Sequence, residues 1–271
     1  MSRHLTLSVS LLLSLLAGSA AFADDEAVNV VGPSGRSSIA LTENTFDYNN
    51  DAYLRGTTTL GGNDHQTGDT LDVSGVYAIS SKVNITASLY RDCAAENTFT
   101  WMGNRDITNQ DGVGEDLGVS AVVIDHGGPG FKLVAAAGAT HFEGFTPVYY
   151  ANLEPQYRFD DALLLTSSFG VQHESGYAGS AYAALNLVWK ITSSFSVVPS
   201  VGVTRYRADG YWSGYTQSTE ELSATYHIDH HWSVSASVTH GSDTTQTSDF
   251  YANDLANAHS YNYGVGLRRS F

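Results

Sequence analysis

The sequence predicts an all-β fold, a transmembrane up-and-down antiparallel β-barrel of about 12 strands with both termini on the periplasmic side. Three observations support this prediction. Apolar residues alternate with small polar residues along many segments, short and long connections follow each other in turn, and the chain ends on an alternating strand that closes with Phe271. Outer-membrane strands have this two-residue period because one face meets lipid and the other meets an enclosed interior.

An export signal precedes the predicted barrel. A basic start at Arg3 and an apolar run from Leu11 to Leu16 lead to an A-x-A cleavage site that ends at Ala23. No later stretch approaches the roughly 18 apolar residues of a membrane helix, so we expect the chain to span by strands. The chain divides into a cleaved signal peptide (residues 1–23), a periplasmic lead-in (24–36) and the barrel (37–271).

Composition favours strands and disfavours nucleic acid as a partner. The chain has 28 acidic against 13 basic residues, which would repel a phosphate backbone. It is rich in Tyr (16) and Gly (26) and poor in Pro (5), a mixture that suits strands, tight turns and aromatic girdles. Nothing in the sequence suggests a nucleotide or cofactor site, and we expect no cofactor.

The alternating segments define the strands, each near the 9–11 residues that a tilted strand needs to cross a bilayer. Short connections such as Asp160–Asp161 and Asp229–His231 contain turn residues. Long connections are predicted at 46–68, 92–115 and 244–259, among others. The predicted strands are 37–45, 69–79, 83–91, 116–125, 131–142, 148–159, 162–172, 180–191, 195–207, 217–228, 232–243 and 260–271.

Aromatic residues predict two girdles, because Trp, Tyr and Phe concentrate at the membrane interfaces. One predicted girdle lies beside the short turns and contains Tyr157, Phe159, Trp189, Phe195, Tyr226, Trp232 and Phe271. The other lies at the opposite strand ends and contains Tyr90, Phe142, Tyr149, Tyr206, Tyr211, Trp212, Tyr215 and Tyr261.

With the Ala-Phe-Ala signal site, the strand alternation and the ending Tyr261, Tyr263, Val265, Leu267, Phe271, the chain resembles the porin-like superfamily of Gram-negative outer-membrane β-barrels. The resemblance implies an outer-membrane location, with lipid and lipopolysaccharide around the barrel. It also implies that Phe271 is the assembly signal read by the barrel-assembly machinery and that periplasmic chaperones escort the precursor. Arg269 departs from the pattern at a usually apolar position, where we expect its side chain to snorkel to headgroups. We expect a monomer.

A porin-like channel for small solutes is the function that the sequence favours. Twelve strands lie between the eight-stranded barrels filled by their own side chains and the 16- to 18-stranded porins. Charged side chains inside a pore select ions by sign, and the acidic surplus favours cations or neutral solutes. An alternative is that the inner charges pair with each other and close the lumen. The residues predicted to line the pore are Asp72, Asp116, Glu154, Arg158, Glu221, His227 and Arg268.

A lipid hydrolase is a second hypothesis. His173, Glu174, Ser175 and Gly176 resemble the His-x-Ser-Asn segment of outer-membrane phospholipase A and of lipid A deacylases, in which His activates Ser to attack a lipid ester. Gly176 stands in place of the family's Asn, and no third group to orient the base is evident on the correct face. We therefore do not expect an enzyme.

A third hypothesis is a structural or adhesive barrel whose outer loops bind ligands. Clusters of possible metal ligands occur at Asp64, His65 and Asp69 and at Asp229, His230 and His231. Neither has a recognised zinc spacing, so we predict no metal site.

Overall fold

The computed structural model describes residues 35–55, 58–59, 64–101, 104–144, 146–174, 179–207, 214–243, 246–248 and 253–271. The predicted signal peptide and nearly all of the lead-in lie outside these ranges. Among the described residues, no helix has the length and apolar character that crossing a membrane requires. The strands are β1 (Ser38–Arg55), β2 (Thr58–Thr59), β3 (Asp64–Ser80), β4 (Val83–Trp101), β5 (Asn104–Asp125), β6 (Gly130–Phe142), β7 (Val148–Arg158), β8 (Leu163–Glu174), β9 (Ser180–Lys190), β10 (Phe195–Tyr206), β11 (Thr216–His227), β12 (Trp232–Asp243), β13 (Gln246–Ser248) and β14 (Asn253–Ser270).

The twelve long strands form one closed antiparallel sheet. Each pairs with the next long strand along the chain, and β14 returns to pair with β1 from Ser38↔Ser270 to Leu54↔Asp254. The closing seam continues to the carboxy-terminus, where the Phe271 N–H donates to the Ser37 carbonyl at 2.9 Å. The short strands β2 and β13 only extend β1 and β14. Closure satisfies the strand edges that a bilayer could not hydrate, and it confirms the predicted barrel of about twelve strands.

The strand boundaries agree with prediction in one half of the barrel and differ in the other. Strands β6 to β12 begin and end within two residues of the predicted ranges. The predicted loops 46–68, 92–115 and 244–259 are wrong, because strands continue through much of each range. These strands are β1, β3, β4, β5 and β14, and β4 and β5 still pair at Trp101↔Asn104. The cause is that a hairpin rising beyond the bilayer meets water on both faces, so its backbone pairing continues after the apolar alternation has stopped.

The two faces of the sheet differ in chemistry. Leu117 is 62% exposed whereas its neighbour Asp116 is 8% exposed, and this alternation recurs on the other strands. The polar face is the concave one, because the Tyr150 hydroxyl on β7 donates to Asp116 on β5 at 3.2 Å and so reaches across the intervening β6. The exposed apolar rows therefore point outward, where only lipid could cover them, as predicted.

Short turns close one end of the barrel. The carboxylate of Asp160 accepts the N–H groups of Ala162 and Leu163, and that of Asp229 accepts those of His231 and Trp232, all at 2.7–2.8 Å. These backbone donors hold the pKa of Asp229 below its usual value, because they stabilise the ionised form. We call this end, which also carries Ser37 and Phe271, the turn end, and the opposite end the loop end.

The predicted girdle at the turn end is confirmed for Tyr157, Phe159, Trp189, Tyr226, Trp232 and Phe271, which are exposed on the outward face. The Arg269 guanidinium lies over two of these rings, 5.4 Å from that of Trp232 and 5.1 Å from that of Phe271. The charge of Arg269 therefore lies at the level of the turn-end aromatic girdle and outside the apolar belt of the barrel.

The predicted girdle at the loop end is wrong for Tyr90, Phe142 and Tyr206. These residues occupy inward positions of their strands, and the rings of Tyr90 and Phe142 stack inside the barrel with centroids 6.1 Å apart. A position near a strand end does not decide on which side of the sheet a ring lies, because strand parity decides it. Tyr149 and Tyr261 do point outward, and Tyr211 and Trp212 lie outside the described residues.

Candidate functional site

All seven side chains predicted to line a pore lie on the inner face. Each is buried or half-buried, and six of the seven stand between two exposed neighbours, the exception being Glu154, with one. Their role in a pore stays a prediction. They come from five strands: Asp72 on β3, Asp116 on β5, Glu154 and Arg158 on β7, Glu221 and His227 on β11, and Arg268 on β14.

Tyrosines and acids share one half of the interior, which we call the tyrosine wall and define as the inner face of β4 to β9. Besides the Tyr150–Asp116 hydrogen bond, the Asn152 amide donates to Glu154 at 2.7 Å. These donors give the carboxylates partners inside the barrel, where an unpaired carboxylate would be costly.

Glycines let the tyrosine rings lie flat on this wall. A Cβ added at Gly138 would collide with the Tyr150 hydroxyl and ring, and one added at Gly170 would collide with the Tyr182 ring. A side chain at either position would therefore push a ring toward the barrel axis. The glycines thus make room for these aromatic rings against the wall.

The opposite side of the interior carries many small residues beside a few large ones such as Phe46 and Tyr206, and we call it the serine wall, the inner face of β10, β11, β12, β14 and β1. On β12 four successive inward positions are hydroxyl residues that remain half-exposed although they point into the barrel. One of them, Thr239, donates to Glu221 at 3.4 Å. The small hydroxyl and glycine residues of β11, β12 and β14 on this wall are Thr219, Ser223, Thr225, Ser233, Ser235, Ser237, Thr239, Gly241, Ser260, Gly264 and Gly266.

The inner charges are sorted along the barrel axis. In the described inner face every Lys and Arg lies within three residues of the turn end of its strand: Lys132 on β6, Arg158 on β7, Lys190 on β9 and Arg268 on β14.

Four inner acids lie further from the turn end, whereas Asp125, the last residue of β5, lies at the turn end opposite Lys132. Glu154 precedes the last residue of β7 by four positions, and Asp116 precedes that of β5 by nine. At about 2.5 Å of axial rise per residue of a tilted strand, Glu154 lies about 10 Å from the level of Arg158. Lys132 is closer, because it pairs with Gln156 and so lies about 5 Å from the level of Glu154.

Sequence reasoning missed two of these bases, Lys132 and Lys190. Both occupy inward positions, beside outward Phe131 and Trp189 respectively, so strand parity could have identified them. They were overlooked because each lies at a strand end, where turn residues are also found.

The outward face carries ionisable residues near the loop end. His141 and Glu115 form an ion pair at 3.6 Å, and His173 is exposed on β8 opposite Tyr149. Ser175 lies outside the described residues, so the predicted pairing of His173 with Ser175 stays untested. Within the part of the chain that the structure describes, no group of three or more His, Cys, Asp and Glu could hold a metal ion.

Comparisons with known proteins identify the fold. No protein-family model and no curated protein sequence matches the chain. Among solved structures it is similar to the COG4313 outer membrane channel from Pseudomonas putida F1 (TM-score 0.59, 10% identity, 89% of this chain and 97% of that one).

Two further structures have the same fold. The translocator domain of the autotransporter NalP from Neisseria meningitidis gives a TM-score of 0.54 at 13% identity, covering 97% of each chain. A KdgM porin in complex with disordered oligogalacturonate gives 0.52 at 12% identity, covering 84% of this chain and 99% of that one. The protein thus has the fold of bacterial outer-membrane β-barrels, as the sequence predicted.

Proposed function

We propose that this barrel is an outer-membrane channel for small hydrophilic solutes, with the turn end facing the periplasm. The observation that carries the proposal is the serine wall. On β11, β12 and β14 of a closed twelve-stranded barrel, most inner positions bear hydroxyl groups or glycines where a filled barrel would need large side chains.

The size of the barrel supports this function. Eight strands enclose a space that side chains just fill, and the diameter grows with strand number, so twelve strands enclose more. Here the rings of Tyr150 and Tyr182 lie close over glycines of the tyrosine wall, which keeps these two rings near the wall. The half-exposed Ser235 and Ser237 on β12 agree with a solvent path along the serine wall.

The fold agrees with a channel without specifying one. Two of the similar structures are named as a channel and a porin, and the third as an autotransporter translocator. We propose further that the protein is a monomer surrounded by outer-membrane lipid and lipopolysaccharide, and that its insertion uses periplasmic chaperones and the barrel-assembly machinery acting on Phe271. Positions of short turns in outer-membrane barrels favour the periplasmic placement of both termini.

Conductance of the refolded protein in planar bilayers tests the channel. We expect discrete, salt-dependent current steps from the parent protein. Ser235→Trp and Ser237→Trp place a large ring in the path and should reduce the step size severalfold. The matched control is Val238→Trp on the same strand, which points toward lipid and should leave the step unchanged. Absence of current from correctly folded parent protein at any salt concentration would refute the proposal.

A further inference from the structure

We propose that the tyrosine wall binds small organic cations, namely protonated amines and guanidinium compounds, on the inner face of β5 to β9. The rings of Tyr150 and Tyr182 and the carboxylates of Asp116 and Glu154 form the site. The proposal names a solute class for the channel proposed above, so the use of the site in transport rests on that function. Binding to the barrel is measured without conduction and can be tested separately.

The strand register places Tyr182 beside the acid Glu154. Asn152 on β7, Gly170 on β8 and Tyr182 on β9 lie side by side in one row across three strands. Because Gly170 has no side chain, the hydroxyl end of the Tyr182 ring extends over it, where a Cβ would collide with the ring. The Asn152 amide donates to Glu154 at 2.7 Å, and Glu154 acts electrostatically on Tyr182. A carboxylate therefore lies near the hydroxyl end of this ring.

Tyr150 has the corresponding arrangement on the other side of β7. Its row crosses β6 and reaches Gly118 on β5, where a Cβ would collide with the Tyr150 hydroxyl. Beside Gly118 on the inner face of β5 is Asp116, which accepts a hydrogen bond from that hydroxyl at 3.2 Å. Tyr182 and Glu154 also act electrostatically on Tyr150. The two rings and the two carboxylates thus form one cluster on neighbouring rows of the wall.

The cluster is accessible from the lumen. Tyr150, Asn152, Glu154 and Tyr182 are all half-buried and not fully buried. Because they point to the inner face of a closed sheet, their remaining exposed surface can face only the interior. The space next to the two rings therefore has room for solvent or for a small group of a solute.

A third acid increases the negative charge of the cluster. Asp72 on β3 is near enough to Asp116 to act on it electrostatically. The Asp72 side chain is 7% exposed, and its Oδ1 atom accepts no hydrogen bond from a described residue. Like charges held together away from bulk water are unfavourable unless a cation lies near them. These carboxylates therefore favour a positively charged ligand.

The inner bases nearest in register lie toward the turn end. Lys132 is about 5 Å below the level of Glu154 and stands opposite Asp125. Arg158 lies about 10 Å below the level of Glu154 on the same strand. A cation at the level of the two rings is therefore closer to the carboxylates of Glu154 and Asp116 than to the guanidinium of Arg158.

Rings and carboxylates together favour an organic cation over a metal ion. A cation within about 6 Å of the centroid of a tyrosine ring is attracted by the negative face of that ring. A carboxylate beside the ring accepts charge-assisted hydrogen bonds from N–H donors. Protonated amines and guanidinium groups supply both the charge and the donors. Ca²⁺ instead takes about six to eight oxygen ligands, whereas rings supply half of the groups in this site.

Saturation-transfer NMR titrations of the refolded, detergent-solubilised full barrel test binding, with 1,4-diaminobutane as the cation and 1,4-butanediol as its uncharged analogue. We expect saturable binding of the diamine and none of the diol. Glu154→Gln and Tyr182→Leu should each weaken diamine binding severalfold, and the double variant should weaken it at least about tenfold. Tyr150→Phe keeps the ring and should bind more tightly than Tyr150→Leu. The matched control Glu115→Gln removes an acid next to Asp116 on the outward face and should bind like the parent.

Removal of the nearest base distinguishes binding from a structural role. Lys132→Gln should strengthen diamine binding, because it removes a positive charge about 5 Å from the level of Glu154. A variant that only loosened the barrel would not bind the diamine more tightly. Heat-modified gel mobility checks that every variant is folded.

Planar-bilayer recordings give a second readout. The diamine should reduce the K⁺ current of the parent channel in a saturable way, and this block should weaken in the double variant while the open conductance persists. Undetectable diamine binding to the parent, equal binding of diamine and diol, or equal affinity of the parent and the folded double variant would overturn the site. Conductance without diamine binding refutes the cation site and keeps the channel. Diamine binding without conductance keeps the cation site and refutes the channel.

Discussion

Two separate arginine variants of one strand test which face of the sheet meets lipid: one places the arginine on the outward face and the other on the inner face. Ala236 and Ser237 are consecutive residues of β12; Ala236 is exposed on the outward face and Ser237 is half-exposed on the inner face. Ala236 is four residues from Trp232, the first residue of the strand. At about 2.5 Å of axial rise per residue it lies about 10 Å above the turn end, inside an apolar belt about 25 Å tall.

The expected loss in free energy of unfolding follows from the depth of Ala236 in the bilayer. An arginine on the lipid face costs about 2–4 kcal/mol at the midplane and less toward the interfaces, so we expect Ala236→Arg to destabilise the barrel by about 2–3 kcal/mol. Ser237→Arg should cost no more than about 1 kcal/mol, because its charge can reach the hydrated side of the serine wall.

Reversible urea unfolding from lipid vesicles measures both values, with the tryptophan fluorescence of the inserted barrel as the signal. Ala236→Lys serves as a second lipid-facing charge, and Ala236→Leu as a control for size that should not destabilise. Equal losses for Ala236→Arg and Ser237→Arg, or a larger loss for the inward variant, would show that the two faces have been assigned wrongly.

Three further predictions follow from local contacts. Gly170→Leu should lower folding yield and stability because its side chain collides with the Tyr182 ring, and Tyr182→Ala in the same chain should recover most of the loss, as measured by heat-modified gel mobility. Because the folded-state pKa of Asp229 is depressed, its contribution to stability is present above the unfolded value of about 3.8 and disappears as pH falls below it; Asp229→Asn should flatten that acid dependence of the unfolding midpoint. Ser175→Ala should leave any lipid-ester cleavage by the purified protein equal to that of the parent, whereas its abolition would establish the hydrolase that His173 and Ser175 suggest.

The fold was predictable because a two-residue period carries both structure and environment. On β3 the lipid-facing residues Leu71 and Val73 alternate with the inward residues Thr70 and Asp72. The antiparallel register then places residues of the neighbouring strand on the same two faces. The two-residue period does not predict the extended hairpins. After Arg91, β4 has no apolar alternation, although it stays paired with β5. Aromatic residues show the same limit: Phe142 is near a strand end in sequence, but its inward parity places it on Tyr90 rather than at a membrane interface.

Overall net charge is a poor guide to the interior, and the structure shows why. The sequence carries a formal charge of -15, which favoured cations or neutral solutes. In the described inner face, however, four bases (Lys132, Arg158, Lys190 and Arg268) accompany the acids Asp72, Asp116, Glu154 and Glu221, together with Asp125 opposite Lys132. The acidic surplus lies elsewhere, for example at Glu43, Asp69, Glu115 and Glu220 on the outward face.

Selectivity in such a lumen depends on the order of the charges rather than on their sum. Glu154 and Arg158 have opposite sign and are about 10 Å apart along β7, about a Debye length at physiological ionic strength, so a permeating ion meets these two side chains as successive fields. A cation is attracted at the level of Glu154 and repelled at the level of Arg158, and an anion experiences the reverse. A solute that carries both charges can satisfy both levels in one orientation, with its positive group at the level of Glu154 and its negative group at the level of Arg158.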